Sequence, residues 1–228
     1  MPAPKKALII FAKVPKPGHV KTRLQPDLSP EQSGQIYLAF ILDTLNATAS
    51  LKGVARIVAC DSTRRDPFFK GLADRYGVIL MDQSGENLGA RMQHALAEAF
   101  KAGYNQAVII GTDSPTLPME YIELAFKQLR KYPLVLGPGA DGGYYLFGCS
   151  GAAPPIFDGI AWSTETVLAQ TLERMVQKNL NGVLLPFWYD VDTLTDVRFL
   201  SAHLAYLERQ AGRPIAPETS RVLKTLKL

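Results

Sequence analysis

A chain of 228 residues with 47% apolar and 20% charged residues has ordinary globular composition and enough length to bury a sizeable core. No apolar run approaches the ~18 residues a membrane span needs, and the short run Ala7–Ala12, cut by Lys13, lacks the apolar region of a signal peptide, so a cytoplasmic protein is expected. The net charge of +4 is concentrated in residues 1–30, where Lys5, Lys6, Lys13, Lys16, Lys21 and Arg23 face Asp27 alone; this suits an anionic small molecule and excludes a surface that coats nucleic acid.

The elements alternate. Ala7–Ala12 reads as a strand, followed by a loop and a helix over Glu31–Ser50. Ser29-Pro30-Glu31-Gln32 supplies that helix with an N-cap, a Pro at N1 and a Gln at N3. Arg56–Cys60 is a second strand, Pro67–Tyr76 a helix stopped by Gly77, and Val78–Met81 a third strand. Asn87–Lys101 is a helix, Ala107–Gly111 a strand, and Met119–Lys131 a helix. The rhythm then breaks, because Leu134–Leu136 and Tyr144–Phe147 are two strands separated only by glycines. Ser163–Asn179 reads as a helix, Val183–Trp188 as a strand and Thr195–Gln210 as a helix, while Arg213–Leu228 carries no assigned element. Repeated strand–helix units imply a mainly parallel sheet covered on both faces, and the helix-free step near residue 140 implies one antiparallel strand. No repeat or linker marks a boundary, so one domain over residues 1–228 is expected.

Asp113 stands out. Val108-Ile109-Ile110 is a buried strand, and Gly111-Thr112-Asp113-Ser114-Pro115 turns the chain directly after it. Open α/β sheets bind ligands at the carboxyl ends of their strands, where a lone carboxylate commonly holds a divalent metal. The loop Pro15–Leu24 follows the first strand; Lys21 and Arg23 offer a point charge and a planar fork for phosphate oxygens, although a Walker A loop is absent. Gly137–Gly143 matches G-x-G-x-x-G but precedes a strand, so it is either a plain hairpin or a substrate-facing loop that presents Asp141. Asn87 is an N-cap candidate, with Arg91 one turn on as a cap neighbour or a ligand contact. Trp162-Ser163-Thr164 is either a core tryptophan with a helix cap or an anion site. Asp190 and Asp192 share a face at strand spacing; Asp192 meets Asp113 around a cation, and Asp192 or Thr193 caps the following helix, two roles that are compatible. Cys60 and Cys149 read as core residues, and no G-x-S-x-G, H-E-x-x-H or Cys-x-x-Cys motif is present.

Taken in order, residues 12–24, Leu-Gly-x-Arg-Met at 88–92, Gly-Thr-Asp-Ser-Pro at 111–115, Asp-Gly-Gly-Tyr-Tyr at 141–145, Trp-Ser-Thr at 162–164 and Asp-Val-Asp-Thr at 190–193 resemble the bacterial DUF2064 family. That family is described as similar to GT-A glycosyltransferases and nucleotide-diphospho-sugar transferases. More distantly, the chain is similar to nucleotidyltransferases such as molybdenum-cofactor guanylyltransferases. The resemblance implies a Rossmann-like, GT-A, three-layer α/β/α sandwich and a metal-dependent glycosyltransferase. The runner-up is a nucleotidyltransferase that joins an NTP to a phosphorylated acceptor and releases pyrophosphate. The resemblance implies Asp113 and Asp192 as ligands of Mg²⁺ or Mn²⁺; Asp113 and Asp141 are the candidate catalytic groups. The implied nucleotide- and phosphate-binding set is Ala12, Lys13, Gly18, Lys21, Arg23, Leu88, Gly89, Arg91 and Thr112. The implied acceptor or sugar set is Asp141, Gly142, Gly143, Tyr144, Trp162, Ser163 and Thr164. Expected partners are a nucleotide or nucleotide-sugar donor and a small-molecule acceptor, with a homodimer as a compatible state.

Overall fold

The computed structural model describes residues 5–226. Strand β1 (Lys6–Ala12) shows why a sheet forms with two covered faces: Leu8, Ile10 and Ala12 are buried toward one side, Ala7 and Ile9 toward the other. It is followed by a 3-10 turn (Thr22–Leu24), α1 (Pro30–Thr48), β2 (Val54–Cys60), α2 (Pro67–Tyr76), β3 (Ile79–Asp82), α3 (Leu88–Lys101) and β4 (Gln106–Ile110). The second half comprises α4 (Met119–Gln128), β5 (Leu134–Pro138), β6 (Tyr144–Ser150), α5 (Val167–Gln177), β7 (Gly182–Leu184), α6 (Leu194–Ala211) and α7 (Pro217–Leu226).

The strands form a seven-stranded sheet in the order β3-β2-β1-β4-β6-β5-β7. β6 pairs antiparallel with both β4 and β5, and every other pairing is parallel. The antiparallel strand is therefore where the missing helix implied it. Helices α1, α2 and α4 cover one face through Ile41, Phe69 and Ile122; α3 and α5 cover the other through Leu96 and Met175. This is a Rossmann-like three-layer α/β/α sandwich.

Helix α1 is buried on two sides. Tyr37, Ile41 and Leu45 face the sheet, while Ile36, Ala39 and Phe40 join Val197, Leu200, Leu204, Val222 and Leu223 of α6 and α7 in a further apolar cluster. Its N-terminus is closed by the expected capping box, with Ser29 Oγ accepting from Gln32 N and Gln32 Oε1 accepting from Ser29 N.

Beyond shifts of a few residues at element ends, three elements differ from the sequence reading. The helix expected from Ser163 starts at Val167, because Ser163 takes a left-handed φ of 66° and the chain turns before the helix begins. The strand expected over Val183–Trp188 is confined to Gly182–Leu184; its continuation touches the sheet only at Trp188, bridged to Gly139. The tail contains a helix, α7, with no N-cap side chain of its own. Asp43 of α1 supplies one, accepting from Glu218 N at 3.1 Å and Thr219 N at 2.7 Å. Burial raises the Asp43 carboxyl above its ordinary range, and the two amide bonds oppose that. The Asp43→Ala variant should lose about 1–2 kcal/mol of stability, as expected for a removed cap, measured by urea unfolding at unchanged m value. A loss below about 0.3 kcal/mol would show that α7 does not depend on this contact.

Candidate functional site

The chain runs β1→β2→β3 in one direction across the sheet and then returns to place β4 on the other side of β1. Such a reversal opens a crevice beyond the carboxyl ends of the two strands, where open α/β sheets take ligands. Lys13 leaves β1 there, and Thr112 and Asp113 leave β4. Tyr37 of α1 ties the two ends together: its hydroxyl accepts from Lys13 N at 3.0 Å and from Thr112 Oγ1 at 3.2 Å. Burial, and then the charge of Asp113, push the phenol up to about 12, so it stays neutral.

Lys21 sits at the centre. Its ammonium lies 2.6 Å from Asp113 Oδ1 and 2.9 Å from Asp192 Oδ1, and donates to the Val191 carbonyl at 2.6 Å. The side chain is 4% exposed and the ammonium lies 5.5 Å from the centre of the Phe40 ring. Burial alone would lower its pKa, but Asp113 and Asp192 outweigh burial and raise it above the ordinary value. Lys21 also holds a left-handed backbone conformation, φ 47° and ψ 43°, uncommon for a residue with a Cβ.

Asp192 also receives Arg23 Nη1 on its other oxygen, at 3.1 Å. Burial would raise the Asp192 carboxyl, yet Lys21 and Arg23 outweigh it and hold it below its ordinary range. Asp190 is the opposite case. Its carboxylate accepts from Ser114 Oγ, but burial first, and then the negative charge of Asp113, push it up to about 7. The segment that carries both is extended rather than a strand, and is fastened by Val191 N donating to Asp113 O at 3.0 Å. Val191 is fully buried between them, so the alternation expected from Asp-Val-Asp holds. Helix α6 is capped by Thr193, whose hydroxyl accepts from Asp196 N.

These groups border a cleft of about 710 Å³. Of the expected residues it is lined by Ala12, Lys13, Arg23, Leu88, Arg91, Thr112, Asp113, Asp141, Gly143, Tyr144, Trp162, Ser163, Thr164 and Asp192. Four others do not line it. Gly18 is exposed in the first loop, and Lys21 lies beneath the cleft among the carboxylates. Gly89 lies under Trp162, where an added Cβ would come within 2.4 Å of the indole. Gly142 takes φ 86° against Glu165, whose carbonyl oxygen a Cβ would meet at 2.0 Å. Both glycines therefore permit close packing. The hairpin loop both turns and presents Asp141, whose Oδ1 accepts from Gly143 N at 2.9 Å. Gly142 O in turn accepts from Leu168 N at the start of α5.

Asn87 caps α3 by accepting from Ala90 N at 2.9 Å and also borders the cleft. Arg91 donates to Gly85 O at 3.1 Å from the cleft wall. Asp190, Tyr37 and Gln83 line the cleft without having been picked out for it. The only signals available in sequence were the Asp-Val-Asp alternation for Asp190 and the apolar face of α1 for Tyr37.

A divalent cation is compatible with this donor set. Mg²⁺ and Mn²⁺ accept one or two carboxylates and take their remaining oxygens from water and phosphate. Asp113 Oδ1 is buried, and its neighbour there is the Lys21 ammonium at 2.6 Å. The Asp113 side chain is nonetheless 41% exposed, so the rest of its carboxylate opens toward the cleft. Among the described residues no group of three or more His, Cys, Asp or Glu side chains is placed to hold a metal ion, so a cation here would rest on one or two carboxylates with water and phosphate oxygens.

The family model "Uncharacterized protein conserved in bacteria (DUF2064)" matches residues 44–164, more than half of the chain. The chain belongs to the DUF2064 family. It is also similar, at 31% identity over 97% of both chains and a TM-score of 0.83, to the crystal structure of a "putative nucleotide-diphospho-sugar transferase" from Desulfovibrio desulfuricans G20. Weaker likenesses carry the fold alone. One is to a CMP:2-keto-3-deoxy-manno-octonic acid synthetase complexed with CTP (15% identity, 89% of this chain and 99% of that one, TM-score 0.57). Another is to a 4-diphosphocytidyl-2C-methyl-D-erythritol synthase from Anaerococcus prevotii DSM 20548 (12% identity, 88% and 97%, TM-score 0.58). No curated protein matches the sequence. No helix among the described residues is long and apolar enough to cross a membrane.

The raised Asp190 carboxyl has a consequence for stability. From its ordinary 3.8 up to about 7, the folded chain holds a proton that the unfolded chain releases, so stability falls as pH rises through that window. Asp190→Asn removes the titration. The melting temperature of the metal-free variant should fall less between pH 5 and 7.5 than that of the wild type. Equal slopes would mean that Asp190 titrates in its ordinary range.

Proposed function

We propose that this protein is a metal-dependent transferase that binds a nucleotide-diphospho-sugar and passes the sugar to a small-molecule acceptor. The observation that carries the reading is Asp113, seated at the sheet's reversal with one oxygen pinned by Lys21 and the rest of its carboxylate open to the cleft. The resemblance to the Desulfovibrio protein over nearly the whole chain supports the same class.

In this reading Asp113 and Asp192 would hold Mg²⁺ or Mn²⁺. The bound cation would supply Lewis-acid neutralisation of the departing diphosphate. Lys13, Arg23 and Arg91 line the cleft as further positive groups for phosphate oxygens. Thr112 contributes less directly, since its hydroxyl is spent on Tyr37. Asp141 faces the cleft from the β5–β6 hairpin, its Oδ1 occupied by Gly143 N, and its second oxygen would accept the acceptor hydroxyl's proton. Trp162 and Tyr144, packed edge to face at 6.4 Å, offer an apolar wall for a sugar or acceptor ring.

One observation favours a second reading, nucleotidyl transfer with release of pyrophosphate. The β4 loop carries one carboxylate, Asp113, flanked by Thr112 and Ser114, where glycosyltransferases of this fold usually carry Asp-x-Asp. The two reactions separate by product, a nucleoside diphosphate against pyrophosphate.

Asp113→Asn should lower turnover by about 10²-fold or more on whichever donor proves active, with the released product resolved by anion-exchange chromatography. A variant that retains full metal-dependent turnover would overturn the assignment of Asp113.

A further inference from the structure

Lys21 does not line the cleft, although the first loop is the natural place for a phosphate-binding cation. It occupies the space between Asp113 Oδ1 and Asp192 Oδ1, at 2.6 and 2.9 Å, with Val191 O as a third contact. Lys21 thus holds one oxygen of each carboxylate that would hold a divalent cation in the reading above. An ammonium and a divalent cation held by the same two carboxylates repel at short range, and the repulsion is strengthened where the ammonium is buried. Arg23 occupies the other oxygen of Asp192, so that carboxylate has no uncommitted oxygen.

We infer that Lys21 is a built-in counter-ion that competes with the divalent metal for Asp113 and Asp192. In the ligand-free protein the ammonium keeps the carboxylates neutralised and metal binding weak. Full occupancy would require Lys21 to swing out of the pair. The cleft wall with Lys13, Arg23 and Arg91 would then be joined by a fourth cation facing the phosphates, so metal and nucleotide would load together. The left-handed backbone at Lys21, beside the short 3-10 turn, is the place where the loop would change. This inference rests on the metal-dependent reading above.

The test is Mn²⁺ binding to the nucleotide-free protein, followed by electron paramagnetic resonance of free Mn²⁺. Lys21→Gln should bind Mn²⁺ about tenfold more tightly than the wild type, and adding Asp113→Asn should abolish the gain. If Lys21→Gln does not tighten binding, while Mn²⁺ still binds the wild type in an Asp113-dependent way, the competition is wrong and the metal reading stands. If Mn²⁺ binds neither protein at millimolar concentration, both fail. A measurement on the wild type avoids dependence on the variant's folding. Acetylation of Lys21 by acetic anhydride, read by peptide mass spectrometry, should rise on saturation with Mn²⁺. Unchanged protection of Lys21 would overturn the inference.

Discussion

The ammonium of Lys21 holds three separate stretches of chain to one point. The first loop supplies Lys21 and Arg23, the end of β4 supplies Asp113, and the segment before α6 supplies Val191 and Asp192. None of these lies in regular strand or α-helix, so backbone ladders do not fix their mutual positions. Charge does. Three carboxylates, Asp113, Asp190 and Asp192, converge here, and an uncompensated cluster would be costly in a partly buried site. Lys21 and Arg23 offset Asp113 and Asp192; Asp190, left over, is pushed toward neutrality instead.

The fold prepares that convergence. β1 and β4 are adjacent in the sheet but far apart in sequence, and their carboxyl ends diverge into different loops. Tyr37 reaches from α1 to bridge Lys13 and Thr112, so the helix that forms the middle of two apolar layers also sets the floor of the cleft. The antiparallel β6 returns the chain so that the β5–β6 hairpin, with Asp141, stands on the same rim. Gly142 against Glu165 and Gly89 against Trp162 then bring the hairpin, the start of α5 and the start of α3 into contact around it.

Much of this was legible in the residues. Apolar runs separated by capped amphipathic stretches located the strands and most helices, because burial on both sheet faces leaves continuous apolar strands and striped helices. The late hairpin was legible as two strand-like runs joined by glycines. Helix α7 was not, because its cap comes from Asp43, far away in sequence, and its apolar stripe is short. At the site, Asp113, Asp141 and Asp192 could be singled out by residue type and position. The depth of Lys21 could not, since a lysine in a basic loop looks the same in sequence whether it meets phosphate or carboxylate. Asp190 was visible only as the partner of Asp192 in an alternation. Its hydrogen bond to Ser114 depends on the tertiary contact between Val191 and the β4 loop.

The central claim is that the cleft around Asp113 binds a nucleotide diphosphate together with a divalent cation. The direct measurement is the thermal shift of the protein across UDP, GDP, CDP and ADP and their common sugar conjugates, each with and without Mn²⁺. The account predicts that one base series stabilises the protein only when Mn²⁺ is present. The gain should be about 2.7 kcal/mol at a hundredfold excess over Kd, and should be lost in Asp113→Ala. No Mn²⁺-dependent shift with any nucleotide, or an undiminished shift in Asp113→Ala, would contradict it.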